Sequence, residues 1–329
     1  MTEVRYLTSE DVVDLAVPGE YVDAVRDGYR QRGEGAPAEP RTQLFSDEPA
    51  GSISSYLAVL PETGVMGGYT YTAGFASADA WFALPLFDAE SGALVALIEG
   101  AGMNPYKTGA VGAVGVDALT REDATTLAVI GSGSQARGQL RAAATVRDFE
   151  RVAVYSPTKE HRESFAAEFN DDLDATVAAV ASSAAAVEDA DVVITATKSA
   201  EPVFDGELLP DGAHVTAIGQ YHPERRELDA TTIERAKYVP DLRARAFQDA
   251  GAFLLAREEG VVDDDHVHAE LGEVVAGTAP GRESAEDVTV FDSGGTAIET
   301  IAAGHMLYER AVEADRGEMI EFPSASAWM

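Results

Sequence analysis

The segment Thr125-Thr-Leu-Ala-Val-Ile-Gly-Ser-Gly-Ser-Gln-Ala136 carries a short apolar strand straight into a Gly-x-Gly-x-x-Ala turn. That order restricts what can follow. The first glycine permits a tight turn, the second lets backbone approach a pyrophosphate, and the third position needs only a side chain small enough to pack on the strand, which Ala136 provides. Residues 135–146 are compatible with a helix whose first N–H groups would point at the turn and favour an anion there. The bare string is weak evidence among 30 glycines, but a strand before it and a helix after it supply the context the motif requires. The reading assigns Gly131, Gly133, Ser134, Gln135 and Ala136 to the phosphates of a dinucleotide; the bland alternative is an ordinary strand-to-helix turn.

From Thr125 onward, apolar runs at 127–130, 152–155, 191–195, 215–218 and 237–239 alternate with Ala-rich helical stretches at 135–146, 161–169 and 183–190. Alternation of this kind predicts βαβ units and a parallel sheet with ligands at the carboxyl ends of the strands. The earlier section reads differently. It has a helix over 21–30, a Pro/Gly-rich loop over 33–40, strands over 53–60 and 93–98, and a helix over 104–119 rich in Gly and Ala. Near the end, Phe291-Asp-Ser-Gly-Gly-Thr-Ala-Ile-Glu299 leads into a helix over 297–310. That helix is expected to return to the first section, so the division is 1–120, 121–295 and 296–329. The fold class is α/β: a Rossmann-type parallel-sheet domain plus a discontinuous α+β domain.

Composition narrows the function classes. The chain of 329 residues with 46% hydrophobic residues can fill two cores. Its 57 acidic and 24 basic residues give a formal charge of -33. The acids are scattered, which suits a solvated surface in a salty cytoplasm where ions screen self-repulsion. Such a surface argues against nucleic-acid partners, whose phosphates need basic patches. The absence of cysteine excludes disulfides, thiolate nucleophiles and Cys-based metal centres. The acidic run Asp263-Asp-Asp265, with His266 and His268 beside it, is read as a solvated turn, so no metal is expected. No apolar run reaches membrane-spanning length. A cytoplasmic protein with no membrane partner is the expectation.

The second strand of the parallel unit ends at Tyr155-Ser-Pro-Thr-Lys159. An NAD-selective domain places an Asp or Glu about there to accept from the ribose hydroxyls. None is present; Ser156, Thr158 and Lys159 offer hydroxyls and a positive charge suited to a 2′-phosphate, so NADP is expected, with NAD as the alternative. Thr197 at a strand exit and Gly219 after another are candidates to line the nicotinamide end. Arg41, in Glu39-Pro-Arg-Thr-Gln43, can grip a carboxylate bidentately, or it can be a surface ion-pair residue. Lys107, within an Ala/Gly-rich and low-charge stretch, can pair with a carboxylate or give up a proton if burial lowers its pKa, or it can form a structural salt bridge. Tyr69, in Gly67-Gly-Tyr-Thr-Tyr71, is a phenol donor or simply a packed aromatic.

Together these marks resemble the ornithine cyclodeaminase/mu-crystallin family, which includes archaeal alanine dehydrogenases and ketimine reductases. The matching pieces are Pro40-Arg41, Lys107-Thr108-Gly-Ala, Ile130 to Ala136, Thr195-Ala-Thr197, Ala217-Ile-Gly219, Arg226-Glu-Leu-Asp229 and Asp292 to Glu299, in the family's order. The resemblance implies that residues 1–120 and the C-terminal helix form a substrate and dimerisation domain, that the active site faces the Rossmann domain across a cleft, and that the protein is a homodimer. It also implies that Arg41 holds the carboxylate of a small imino or amino acid. Three positions depart from the pattern. Tyr69 stands where the family usually has Lys. Lys107 stands where it usually has Arg, keeping the charge but losing the planar fork. Tyr221 replaces the Asp of true ornithine cyclodeaminases, which argues against deaminative cyclisation. What remains is NAD(P)H-dependent chemistry at a C=N or CH–NH bond, of the imino acid or ketimine reductase type. Alanine dehydrogenase, ornithine cyclodeaminase and a non-catalytic NAD(P)-binding protein are the alternatives.

Overall fold

The computed structural model of the chain describes residues 2–75 and 79–328. The described residues form two compact units, 1–107 with 296–329 and 108–295, so the first is discontinuous in sequence. Its break falls at Lys107/Thr108, inside the Asn104–Leu119 helix rather than after it at 120/121.

The first unit is built on a seven-stranded mixed sheet. In chain order its strands are β1 (Thr2–Leu7), β2 (Thr42–Asp47), β3 (Ala50–Leu60), β4 (Val65–Ala73), β5 (Trp81–Asp88) and β6 (Leu94–Glu99), with the C-terminal Glu318–Phe322 as the seventh. The spatial order is Glu318–Phe322, β1, β6, β5, β4, β3, β2. Only the β1–β6 pair is parallel. On the inner face of the sheet Tyr56, Ala58, Leu84 and Leu86 are buried. The helix Ala297–Glu313 packs on that face and on the helix Pro18–Gly33. Its apolar positions Ile298, Ile301, Ala302 and Leu307 recur at helical spacing and are buried. Each large aliphatic side chain so buried contributes roughly 1.5–3 kcal/mol, which explains why this helix belongs to the first unit although nearly two hundred residues separate them.

The expected strand 53–60 lies within β3, 93–98 becomes β6, and the helix 21–30 extends to Pro18–Gly33. The sequence reading did not find β1, β2, β4, β5 or the last strand. It also described residues 296–329 as helical, whereas the chain adds Glu318–Phe322 to the sheet edge beside β1.

The second unit holds seven parallel strands: β7 (Thr126–Ile130), β8 (Arg151–Tyr155), β9 (Thr176–Ala179), β10 (Val192–Thr195), β11 (His214–Ala217), β12 (Ala236–Pro240) and β13 (Val288–Asp292). Their order is β12-β13-β11-β10-β7-β8-β9. Every pairing is parallel. The chain winds outward from β7 in both directions, so the strand order reverses between β7 and β10, the position where open α/β sheets bind ligands. The expected strands are all present, joined by β9 and β13. In the Asn104–Leu119 helix Val111, Val114 and Val116 are buried. Gln139 Nε2, from the helix Ser134–Ala143, donates to Thr108 O at 2.6 Å, and a Cβ on Gly109 would lie 2.3 Å from Gly138 O, so the small residues of the Asn104–Leu119 helix allow it to pack closely on the Ser134–Ala143 helix.

Candidate active site

Two clusters of chemically capable residues emerge, one in each unit. In the second, β7 ends at Ile130 and the chain turns through Gly131, whose N–H donates to Tyr155 O at 2.8 Å. Gly131 has φ +121°, and a Cβ there would lie 2.5 Å from Ala196 O, so only glycine fits. Gly133 differs: a Cβ there would meet nothing within 4 Å. No protein contact requires that glycine, which is what a backbone reserved for close approach to a ligand looks like. Gly133 caps the helix Ser134–Ala143, whose first turn carries no acidic side chain and leaves its N–H dipoles unopposed toward an anion. Ser134 is exposed and Gln135 half-buried, while Ala136 is fully buried on the strand. These residues fit a pyrophosphate.

The neighbouring strand exits complete this half-site. Ser156, after β8, is buried; it accepts from Ser132 Oγ at 3.0 Å and donates to Thr158 O at 3.3 Å. Thr158 and Lys159 are exposed, and Lys159 Nζ lies 3.6 Å from Glu163. Arg162, which the sequence reading passed over, donates to Ser156 O at 2.8 Å and covers the Tyr155 ring at 5.8 Å. Its signal was its place one turn into the Lys159–Asp172 helix, where a side chain folds back over the strand exit. Thr197 follows β10 and Gly219 follows β11, and both N–H groups donate to Glu227, at 2.7 and 2.8 Å.

In the first unit, Arg41, Tyr69 and Lys107 converge with two residues not singled out from sequence, Tyr56 and Glu299. Arg41 and Lys107 are each 3% exposed. Arg41 Cζ stands 5.8 Å from the Tyr56 ring centroid, and Lys107 Nζ 5.3 Å from that of Tyr69. Tyr56, Tyr69, Tyr71 and Phe82 form a continuous aromatic wall with centroids 5.3–6.3 Å apart. The Tyr69 phenol donates to Gly100 O at 3.1 Å, and burial drives its pKa well up, so it stays protonated. The guanidinium and the ammonium gain by lying over the negative faces of the rings.

Glu299 is fully buried and lies 3.8 Å from Lys107. It also accepts from Thr296 N at 2.6 Å and from the Tyr29 hydroxyl at 3.2 Å. Thr296 and Glu299 form the capping box of the Ala297–Glu313 helix, the feature by which sequence marks Glu299. The helix start thus places a carboxylate against the lysine. Burial holds the Lys107 ammonium below its ordinary value, Glu299 opposes this, and the Arg41 charge adds to the lowering. Tyr221 is 44% exposed. Among the described residues no group of three or more His, Asp or Glu side chains is arranged to hold a metal ion, and no helix is long and apolar enough to cross a membrane.

Residues 3–315 match the family model described as the ornithine cyclodeaminase/mu-crystallin family. The chain belongs to the ornithine cyclodeaminase/mu-crystallin family. It is 37% identical over 238 residues to a Delta(1)-pyrroline-2-carboxylate reductase of Bacillus cereus, covering 72% of this chain and 73% of that one. Among solved structures it is similar to the Thermococcus litoralis Delta(1)-pyrroline-2-carboxylate reductase in complex with NADH and L-proline, with a TM-score of 0.90 and 30% identity over 96% of this chain and 100% of that one. An archaeal alanine dehydrogenase dimer with bound NAD gives a TM-score of 0.91 at 30% identity, over 98% and 100%. As a member of the ornithine cyclodeaminase/mu-crystallin family, it is an NAD(P)H-dependent oxidoreductase of the general type that acts on imino and amino acids.

Proposed function

We propose that the protein reduces the C=N bond of a small imino acid, with NADPH preferred over NADH. The observation that carries this reading is the buried pair of cations, Arg41 and Lys107, set on an aromatic wall in the first unit. Arg41 suits a substrate carboxylate through its planar fork. Lys107, with its lowered pKa, is suited to hold a proton toward an imine nitrogen. Tyr69 supplies wall rather than charge, which suits a ring-shaped, mostly apolar substrate body. A bound reduced nicotinamide dinucleotide would supply the hydride, held by the Gly131–Ala136 turn, Thr197 and Gly219. The lean to NADPH rests on Ser156, Lys159 and Arg162 at the exit of β8, where no carboxylate stands.

The decisive assay follows NADPH and NADH absorbance at high KCl with pyrroline-2-carboxylate, piperideine-2-carboxylate, and pyruvate plus ammonia. Turnover of a cyclic imine without ammonia, faster with NADPH, is expected, with rate lost at low ionic strength as the acidic surface loses its screening. Turnover of pyruvate and ammonia alone would make the protein an alanine dehydrogenase. Saturable dinucleotide binding with no turnover would make it a binding protein.

We also infer a homodimer. Leu44, Ile53, Leu57 and Trp81 are 66, 43, 59 and 69% exposed. The pairings Leu44 to Ile53, Ile53 to Thr72 and Thr72 to Trp81 put them on one outer face of the first sheet. An apolar face of this kind marks an interaction surface, and a second copy is the occupant that the archaeal relative, a dimer, supports. Light scattering should give twice the chain mass, and Ile53→Lys with Leu57→Lys should give one; a monomeric parent would remove the inference.

A further inference from the structure

Glu227 is 2% exposed and reaches two strand exits at once. Oε2 accepts from the Thr195 hydroxyl at 3.1 Å and from Gly219 N–H at 2.8 Å, while Oε1 accepts from Thr197 N–H at 2.7 Å. Thr195 closes β10, Thr197 lies just past it, and Gly219 lies just past β11. The glutamate's own backbone is fixed, because its carbonyl accepts from Val203 N at 2.8 Å. The fit is close: a Cβ on Gly219 would lie 2.5 Å from both carboxylate oxygens.

A buried carboxylate is an expensive way to join two loops. Burial pushes the Glu227 pKa up, and the three donors only oppose that rise. Since a buried charge is weak evidence for stability, its value lies in geometry. A carboxylate can accept from several donors in fixed directions, and here it orients the backbone at the two positions, Thr197 and Gly219, assigned above to the nicotinamide end of the cofactor.

We propose that Glu227 is a positioning residue for the nicotinamide half-site, holding the exits of β10 and β11 in the arrangement that receives the redox-active end of the dinucleotide. This rests on the dinucleotide reading of the second unit. Glu227 acts through Thr197 and Gly219 and touches no reacting atom. The three donors to Glu227 lie at the exits of β10 and β11, not at the exit of β8 that is assigned to the adenosine end.

That separation defines the test. Titration of the full-length protein with NADPH or NADH, whichever binds more tightly, is compared with titration by the matching ADP-ribose fragment, which lacks nicotinamide. In Glu227→Gln the amide NH2 faces a backbone N–H, so one donor loses its acceptor. Dinucleotide binding should weaken about tenfold or more while the fragment binds within about twofold of the parent. Thr195→Val removes a single donor and keeps the carboxylate, so it should show the same pattern at about threefold should Glu227→Gln fail to fold. Equal weakening of dinucleotide and fragment, as a merely structural role would produce, or unchanged binding of both, overturns the proposal. A parent protein that binds neither ligand overturns the dinucleotide reading itself, and does so before any variant is compared.

Discussion

Lys107→Met should reduce turnover of an imino acid by about 10²- to 10⁴-fold, the usual worth of a positioned proton donor, with little change in the dinucleotide affinity. Methionine fills much of the same volume, so the wall of Tyr69 and Phe82 should remain packed. Glu299 keeps its hydrogen bonds from Thr296 and Tyr29 after the change, which limits the damage to the fold. Arg41→Ala should behave differently. A group that grips the carboxylate in ground and transition states alike contributes uniform binding, so its loss should appear mainly as a KM raised about ten- to a hundredfold. The pH profile adds a signed test. Because burial holds Lys107 below the ordinary lysine value of 10.5, a rate that needs its ammonium is complete below that lowered pKa and lost as pH rises through it. Lys107→Arg keeps a charge that does not titrate, so whatever activity it retains should persist to higher pH. Near-parental turnover in Lys107→Met would remove the lysine from this role, and an unchanged KM in Arg41→Ala would remove the arginine.

Arg245→Met should cost the second unit about 3–5 kcal/mol, the penalty for breaking a buried ion pair from one side. Arg245 is 1% exposed and central to a network. Its guanidinium donates to Asp241 at 2.6 Å, to the Asp292 carboxylate at 2.8 Å and carbonyl at 2.7 Å, and to Asp249 at 3.3 Å. Burial alone would lower the guanidinium pKa, but Asp241, Asp292 and Asp249 outweigh it and raise it further, so the charge is permanent. Removing it leaves acidic groups buried with each other. The loss would spread along the chain, because Asp241 also accepts from Gly294 N at 2.9 Å and Gly295 N at 3.2 Å, the last residues before the chain re-enters the first unit. A fall in melting temperature on the order of 10 °C follows from that energy in a unit of this size. Circular dichroism melts would check it, and a cost below about 1 kcal/mol would mean that the carboxylates find other partners or take up protons.

Much of the second unit was legible in the sequence because its information is local. The Thr125–Ala136 segment announces strand, turn and helix within twelve residues, since a glycine forced to φ +121° and a buried Ala136 leave few other arrangements. The buried parallel strands read as short apolar runs for the same reason. The first unit was harder. Its strands β2 and β4 carry Thr, Ser, Gly and Tyr rather than an alternating apolar pattern, so although both pair with the neighbouring β3, side-chain alternation alone did not expose them. The strand Glu318–Phe322 is charged and largely exposed, and only its register with β1 makes it a strand. At the sites, Arg41, Tyr69 and Lys107 were nameable by residue type and motif. Glu299 and Glu227 were present in quoted motifs without a role, because acidic residues in a chain with 57 of them look alike until burial distinguishes them.

The sequence by itself determined the parallel-sheet unit, its Gly131–Ala136 turn and the shortage of carboxylates at the exit of β8, since each depends on neighbours within a few residues. Only the tertiary structure decided that a helix capped at Thr296 brings Glu299 to Lys107, and that Glu227 joins the exits of two strands. Those contacts link residues 192 and 32 positions apart, and what fixes them is the packing of whole elements, not the local preference of either residue.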